Sequence, residues 1–314
     1  MDLPKPHKAK RMQSKASIVI EGLAGSGKSG VALLIAHALS SSWDKVWCVD
    51  TENKSLDLFE ELNLSDGSKC EPFTKVDLTA DYGYTPSTFL ALRDQAIADG
   101  AEAFVIDSTS HSWVGKGGVL EVVNKLENEN SKLNKFNAWG QQEVMDEKSN
   151  LAAMLRDPRV HCISTVRLKE KFDLVPGEGI KSRGECQVMQ GDMKYEPDLL
   201  LRMVRPGSPD GEPPVVEVMK TRYAFLRLGQ QYEVTASLLT QFKSYLGEGA
   251  DPAELEAQQK EDLIVSITDI LKNNKTKQMA WAMFKKSNKL DDTTKLANLS
   301  LTQLNVFYTS ISNH

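Results

Sequence analysis

The sequence is short of cysteine, of long apolar runs and of net positive charge, and each shortage excludes a class of protein. Its four cysteines, Cys48, Cys70, Cys162 and Cys186, lie far apart with no C-x-x-C pair. That spacing argues against a disulfide framework or a zinc site and for a reducing cytoplasm. No apolar stretch approaches the roughly 18–20 residues that cross a bilayer. The basic start (Lys5, Lys8, Lys10, Arg11, Lys15) runs into no apolar segment of the signal-peptide kind. With 38 basic against 43 acidic residues the net charge is −5, so any nucleic-acid site is a local patch. Internal repeats and low-complexity tracts are also missing. What is left is an ordinary globular mixture, 40% hydrophobic and 26% charged over 314 residues. That length suits one large domain, or a medium domain with an appendage.

The chain reads as a basic arm (1–15), a core (16–246), a linker (247–252) and a helical module (253–314). In the core, short apolar runs alternate with helical patterns: Ser17–Glu21, Val46–Val49, Ala103–Ile106 and Val160–Ser164 against helices at Lys28–Leu39, Ser87–Ala98 and Gln141–Leu155. Continuous apolar strands alternating with helices predict an α/β fold with a mostly parallel sheet covered on both faces. Leu199–Val204, Val215–Met219 and Phe225–Leu228 predict edge hairpins. After Gly247-Glu248-Gly249-Ala250-Asp251-Pro252 only helical patterns follow. Ser300 and Gln303 there form a capping box, with Leu299 and Leu304 as its staple.

Gly22-Leu23-Ala24-Gly25-Ser26-Gly27-Lys28-Ser29, followed by Gly30, satisfies G-x-x-x-x-G-K-[ST] between a strand and a helix. The glycines let successive N–H groups point at phosphate, and the helix presents its positive end to the same anion. Lys28 adds a charge for the β- and γ-phosphates, and the Ser29 hydroxyl can hold Mg²⁺. The chemistry predicted here is ATP with Mg²⁺. Asp107 ends the apolar run 103–106, where a second acid would hold the metal through water. Its neighbour is Ser108 instead of the Glu that many P-loop ATPases place there, so the base must come from elsewhere. Glu52, just past the second strand in Val49-Asp50-Thr51-Glu52-Asn53, faces the ligand end of a parallel sheet and is the candidate. Asp50 competes for the role.

A P-loop, then Asp50-Thr51-Glu52 after the next strand, then a strand ending Asp107-Ser108 resembles the RecA-type recombination ATPases, nearest to the short phage RecA-core group used in single-strand annealing. The resemblance spans about residues 16–246 and implies a RecA-like P-loop core with Glu52 as catalytic carboxylate. Thr165, in Ser164-Thr165-Val166-Arg167-Leu168-Lys169, stands at the family's sensor position, where bacterial RecA has Gln. Lys220 and Arg222, in Met219-Lys220-Thr221-Arg222, resemble the motif that reaches a neighbouring subunit's nucleotide; two basic residues on a solvated edge strand are the alternative. The resemblance further implies a homo-oligomer (ring or filament), single-stranded DNA as partner, recombination or repair as the task, and a phage protein in the cytoplasm of its bacterial host. Against filament formation, no long N-terminal oligomerisation segment precedes residue 16.

Candidate DNA contacts are Arg167, Lys169, Lys171, Lys181 and Arg183, read as a basic loop after the sensor strand. Glu170, Asp173, Glu178 and Glu185 dilute it, so a solvated hairpin stays open. Lys116, among Gly115, Gly117 and Gly118, is a second candidate loop. In the tail, six lysines from Lys272 to Lys289 surround Trp281 and Phe284 without an acid among them. Either they form a strand-binding surface, or the aromatics pack a small core under solvated lysines. A single-strand-binding protein is the partner expected at this module. A DnaB-like ring helicase or loader is the alternative function. A small-molecule kinase ranks lower because Arg156 and Arg159 are thin support for a lid. A partition ATPase would carry an extra Lys where this chain has Leu23 and Ala24.

Overall fold

Runs of β-branched and aliphatic residues too short for helices become strands here, and hydrogen bonds that cross between them set the order. The computed structural model describes residues 8–64, 66–129, 135–175, 179–208, 211–272 and 275–312. The strands are β1 (Ser17–Gly22), β2 (Val46–Asp50), β3 (Thr74–Asp77), β4 (Ala103–Asp107), β5 (His161–Val175), β6 (Gly179–Gln187), β7 (Leu199–Arg205), β8 (Val215–Thr221) and β9 (Gln231–Glu233). They form a nine-stranded sheet in the order β3-β2-β4-β5-β1-β7-β8-β9, with β6 paired only to β5. All neighbours from β3 to β7 are parallel, and β8 and β9 add an antiparallel edge. The predicted fold class, an α/β P-loop core with a mostly parallel sheet and a C-terminal helical module, is the one observed.

Helices cover both faces, as buried strands require. Alternation along β1 sends Ile18 and Ile20 into one apolar layer and Val19 into the other. The first layer takes in α1 (Lys28–Leu39) and α7 (Ala236–Gly247). The second takes in α2 (Pro86–Ala98) and α6 (Gln142–Ala153). α2 starts where Thr85 Oγ1 accepts from Thr88 N at 3.1 Å, with Pro86 in the first turn, where its missing N–H costs nothing. α3 (Ser110–Val114), α4 (Val119–Glu129) and α5 (Lys135–Ala138) complete this unit.

Two strand expectations change. Val160–Ser164 is only the root of β5, which runs on to Val175 and folds back as β6 in an antiparallel hairpin irregular between Glu170 and Phe172. The segment expected as a basic loop is therefore largely strand. Phe225–Leu228 is a turn, closed by Leu226 N on Tyr223 O at 3.1 Å. Phe225 is apolar because its ring packs against Phe242 and Tyr245 of α7, 5.6 and 5.1 Å away, and the pairing strand is β9 instead. All four cysteines are free; three are buried, and Cys186 is half-buried on β6.

The chain divides into two compact units, Ser14–Leu246 and a second made of the residues before Ser14 together with those from Gly247 on. In the second unit Gln13 N donates to Ala250 O at 3.0 Å, and Arg11 pairs with Glu248 at 2.8 Å. The basic arm and the stretch that reads as a linker are thus bonded to one another. Three helices follow, α8 (Pro252–Lys272), α9 (Lys275–Ser287) and α10 (Leu301–Ser312). Ile267, Leu299, Leu304, Phe307 and Ile311 are buried between them. The capping box is present: Ser300 N donates to Gln303 Oε1 (2.9 Å) and Gln303 N to Ser300 Oγ (3.2 Å). Trp281 and Phe284 lie 5.0 and 4.9 Å from Phe307, so the tail's aromatics are core. Among the described residues, no helix is long and apolar enough to cross a membrane.

Candidate functional site

The parallel strands end together, and their carboxyl ends bring the sequence motifs into one place. Gly22 pairs with Arg167, Asp50 with Asp107, and Ile106 with Ser164. Gly25 and Gly27 take φ of 74° and 87°, a region that side-chain-bearing residues rarely enter. A Cβ on Gly22 would meet Ser26 Oγ at 2.5 Å. No side chain caps α1 at Gly27, and no acid lies in its first turn, so its N–H groups and positive end face outward to an anion. Lys28 Nζ donates to Leu23 O at 2.7 Å. Burial lowers its pKa, against the pull of Asp107 and Glu52.

Asp107 is buried. One carboxylate oxygen accepts from Thr165 Oγ1; the other, Oδ2, is buried without a hydrogen-bond partner. Burial holds this carboxyl above its ordinary range, and the neighbouring Ser29 and Thr165 hydroxyls pull it partly back. A buried carboxylate oxygen without a partner is costly, and a divalent cation held with the Ser29 hydroxyl would satisfy it. The residues present therefore fit Mg²⁺. Lys28, Ser29, Thr165 and Asp107 lie together at the glycine loop, an arrangement that could hold a nucleotide's phosphates with a divalent cation. Thr165→Val keeps the shape but strips Asp107 of its donor. We expect a lower melting temperature and a higher Mg²⁺ concentration for half-maximal nucleotide binding, read by calorimetry with and without Mg²⁺. An unchanged Mg²⁺ titration would show that the hydroxyl does not hold the metal-binding carboxylate.

Glu52 and Asp50 separate in the structure. Asp50 turns both oxygens onto backbone, accepting from Glu52 N (2.7 Å) and Leu56 N (2.8 Å), so it folds the loop after β2. The Glu52 carboxylate accepts from Ser108 Oγ (2.8 Å) and from Arg167 Nε (2.7 Å) and Nη2. Burial alone would raise its pKa; the bonds from Arg167 and Ser108 prevail and hold it below the ordinary range. Arg167 thus stands inside the site, at the root of the β5–β6 hairpin.

Sequence reasoning did not assign Thr51 and His111. Thr51 N donates to Asp107 O at 2.7 Å, Ser108 N donates to Thr51 Oγ1 at 2.8 Å, and His111 Nδ1 lies 2.7 Å from the same hydroxyl. They lock the end of β2 to the end of β4, which sets where Glu52 and Asp107 point. Glu21, buried beneath the loop, accepts from Gln187 (2.5 Å) and from Arg202 Nε (2.7 Å).

The remaining predicted residues lie elsewhere. Lys169 and Lys171 are exposed on β5, and Lys116 is exposed between α3 and α4; the side chains of Lys181 and Arg183 lie outside the described residues. Lys220 pairs in register with Leu200, itself beside Val19, which places it toward the end of β1 opposite the P-loop. Its ammonium donates to Pro197 O at 2.5 Å and to Tyr195 O. Arg222 pairs with Asp198 at 2.7 Å. Neither lies among the residues gathered at the phosphate loop.

No protein-family model matches the sequence, and no curated protein matches it. Among solved structures, a KaiC-like protein from the hyperthermophilic archaeon Pyrococcus horikoshii OT3 superposes with a TM-score of 0.38 at 15% identity, covering 70% of this chain and 85% of that one. Similarity this loose transfers no residue role.

Proposed function

We propose that the protein is a Mg²⁺-dependent ATPase of RecA type that binds single-stranded DNA as an oligomer and acts in annealing or recombination. One observation carries this reading. Glu52, a carboxylate at the strand ends whose oxygens are not spent on backbone, is tied through Arg167 to the root of a hairpin with exposed lysines. A strand-binding element and a candidate base then share one ion pair. Bound Mg²⁺ would screen the triphosphate; everything else is done by the chain. The loop amides and Lys28 hold the phosphates, and Glu52 orients a water and accepts its proton. Arg167 keeps Glu52 ionised but also engages the oxygens that water needs, so turnover requires that pair to open or share.

The test is ATPase rate and single-strand binding measured together, with particle images of the same samples. We expect hydrolysis to rise on adding oligo(dT), and binding to be salt-sensitive and stronger with ATP than with ADP. Lys169→Ala and Lys171→Ala should each flatten the log–log salt dependence by about 0.7. No single-strand binding at low salt with ATP and Mg²⁺, or phosphoryl transfer to a small acceptor, would overturn the reading. Unwinding of forked duplex without annealing would place the chain with ring helicases.

Lys220 and Arg222 are proposed to act across a subunit interface, exchanging Pro197 O and Asp198 for a neighbour's nucleotide. Mixing an Arg222→Ala subunit with a Glu52→Gln subunit should then restore part of the lost activity. Purely additive loss on mixing would leave both residues as edge-strand anchors.

A further inference from the structure

The C-terminal helical unit carries a surface that the nucleotide chemistry does not use. On α9 the residues that pack inward are Lys277, Ala280, Trp281, Phe284 and Lys285, all half-buried. The opposite face carries Met279, Ala282, Met283 and Lys286, and the four-residue and seven-residue spacings set them on one stripe. Met279 is 70% and Met283 73% exposed, a large apolar display for two neighbouring side chains on a helix of a soluble unit. The stripe is framed by one sign of charge. Along the chain Lys272 precedes the methionines and Lys286 and Lys289 follow them, all exposed, and no Asp or Glu occurs between Asp269 and Asp291. Lys272 is 3.9 Å from Asp269, both well exposed, a pair weak enough to exchange partners.

Three occupants can be compared on this geometry. A second copy of the same face would set lysine against lysine, which repels. A nucleic-acid strand needs flat rings to stack on, and the helix's only rings, Trp281 and Phe284, are turned onto Phe307. What the outward face offers instead is two flexible thioether side chains, which mould to irregular apolar knobs, in a stretch of chain whose charges are all lysines. We infer that α9 is a docking surface for an acidic protein segment carrying spaced apolar side chains. The apolar side chains seat on Met279 and Met283, and carboxylates pair with Lys272, Lys286 and Lys289. Charge supplies the encounter and the methionines supply selectivity. The inference is independent of the ATPase reading, because none of its residues enters that reading.

Fluorescence anisotropy on the full chain tests it, with a labelled synthetic peptide of Asp-Asp-Leu and Asp-Asp-Phe triplets as probe. Saturable binding is expected, weakening as NaCl rises. Met279→Ser with Met283→Ser should weaken it by about tenfold, as should Lys286→Glu with Lys289→Glu. Circular dichroism should show unchanged melting, because all four side chains are exposed. A peptide with Ser in place of Leu and Phe should bind no better than to the methionine variant. Oligo(dT) affinity should be the same for wild type and methionine variant. Equal binding of the Leu/Phe and Ser peptides, or no effect of the methionine pair, would overturn the proposal. So would a loss of oligo(dT) binding in the methionine variant that matches the loss of peptide binding, which would make the face a nucleic-acid surface.

Discussion

Glu52→Gln is expected to cut ATP hydrolysis by about 10²–10⁴-fold, the range a positioned general base contributes, while nucleotide binding survives. The amide can still hydrogen-bond a water and accept from Ser108, but it cannot take the water's proton. It also loses the charge that engages Arg167, so the root of the hairpin is released in the same variant. Two readouts therefore move in opposite directions: turnover collapses, and single-strand binding holds or tightens. Asp50→Asn is the control, since Asp50 oxygens accept only backbone N–H groups here; its effect should fall on melting temperature before chemistry. Hydrolysis within a few-fold of wild type in Glu52→Gln would move the base elsewhere.

Lys28→Ala is the second large effect. A single donor removed from charge that develops in a reaction costs about 10²–10³-fold, and here the loss extends to ground-state binding of the phosphates. Stability should move the other way. The Lys28 side chain is buried, and its ammonium is satisfied by one carbonyl, Leu23 O. Removing a desolvated charge relieves a cost that Leu23 O, Asp107 and Glu52 offset only in part. The variant should therefore melt at or above the wild-type temperature without nucleotide, and should lose the upward shift that ATP with Mg²⁺ gives the wild type. A variant that still shifts with ATP would show that residues 22–29 are not the working site.

The parts of the site that follow one another along the chain were legible in the sequence. The phosphate loop needs its glycines at fixed spacing between a strand and a helix, so its place could be read without any partner. Asp107 and Glu52 were legible because an acid that ends an apolar run in a parallel sheet has few places to point. What joins them was not. Arg167 meets Glu52 across 115 positions, and only the strand order, which sets β5 between β4 and β1, brings them together. Read locally, Arg167 is one more cation in a basic segment. The same segment hid the length of β5, because the run Lys169-Glu170-Lys171 breaks the apolar pattern between Leu168 and Phe172. β3 escaped for a similar reason: its four residues include two charges, and none is fully buried. Phe225 to Leu228 misled in the opposite direction, since rings that fill the space beneath a helix look like strand residues when no partner is in view.

The distribution of thiols gives the hairpin a built-in reporter. Cys48, Cys70 and Cys162 are buried, and burial pushes the Cys162 thiol up to about 12 and the Cys70 thiol up to about 11, so alkylating dyes meet them as protonated, shielded groups. Cys186 is the accessible thiol, directly across the strand pair from Lys169. A maleimide fluorophore added to the unmodified chain should therefore label the one element proposed to feel both DNA and Glu52. Its emission would follow that element's movement through a hydrolysis cycle, without an engineered residue.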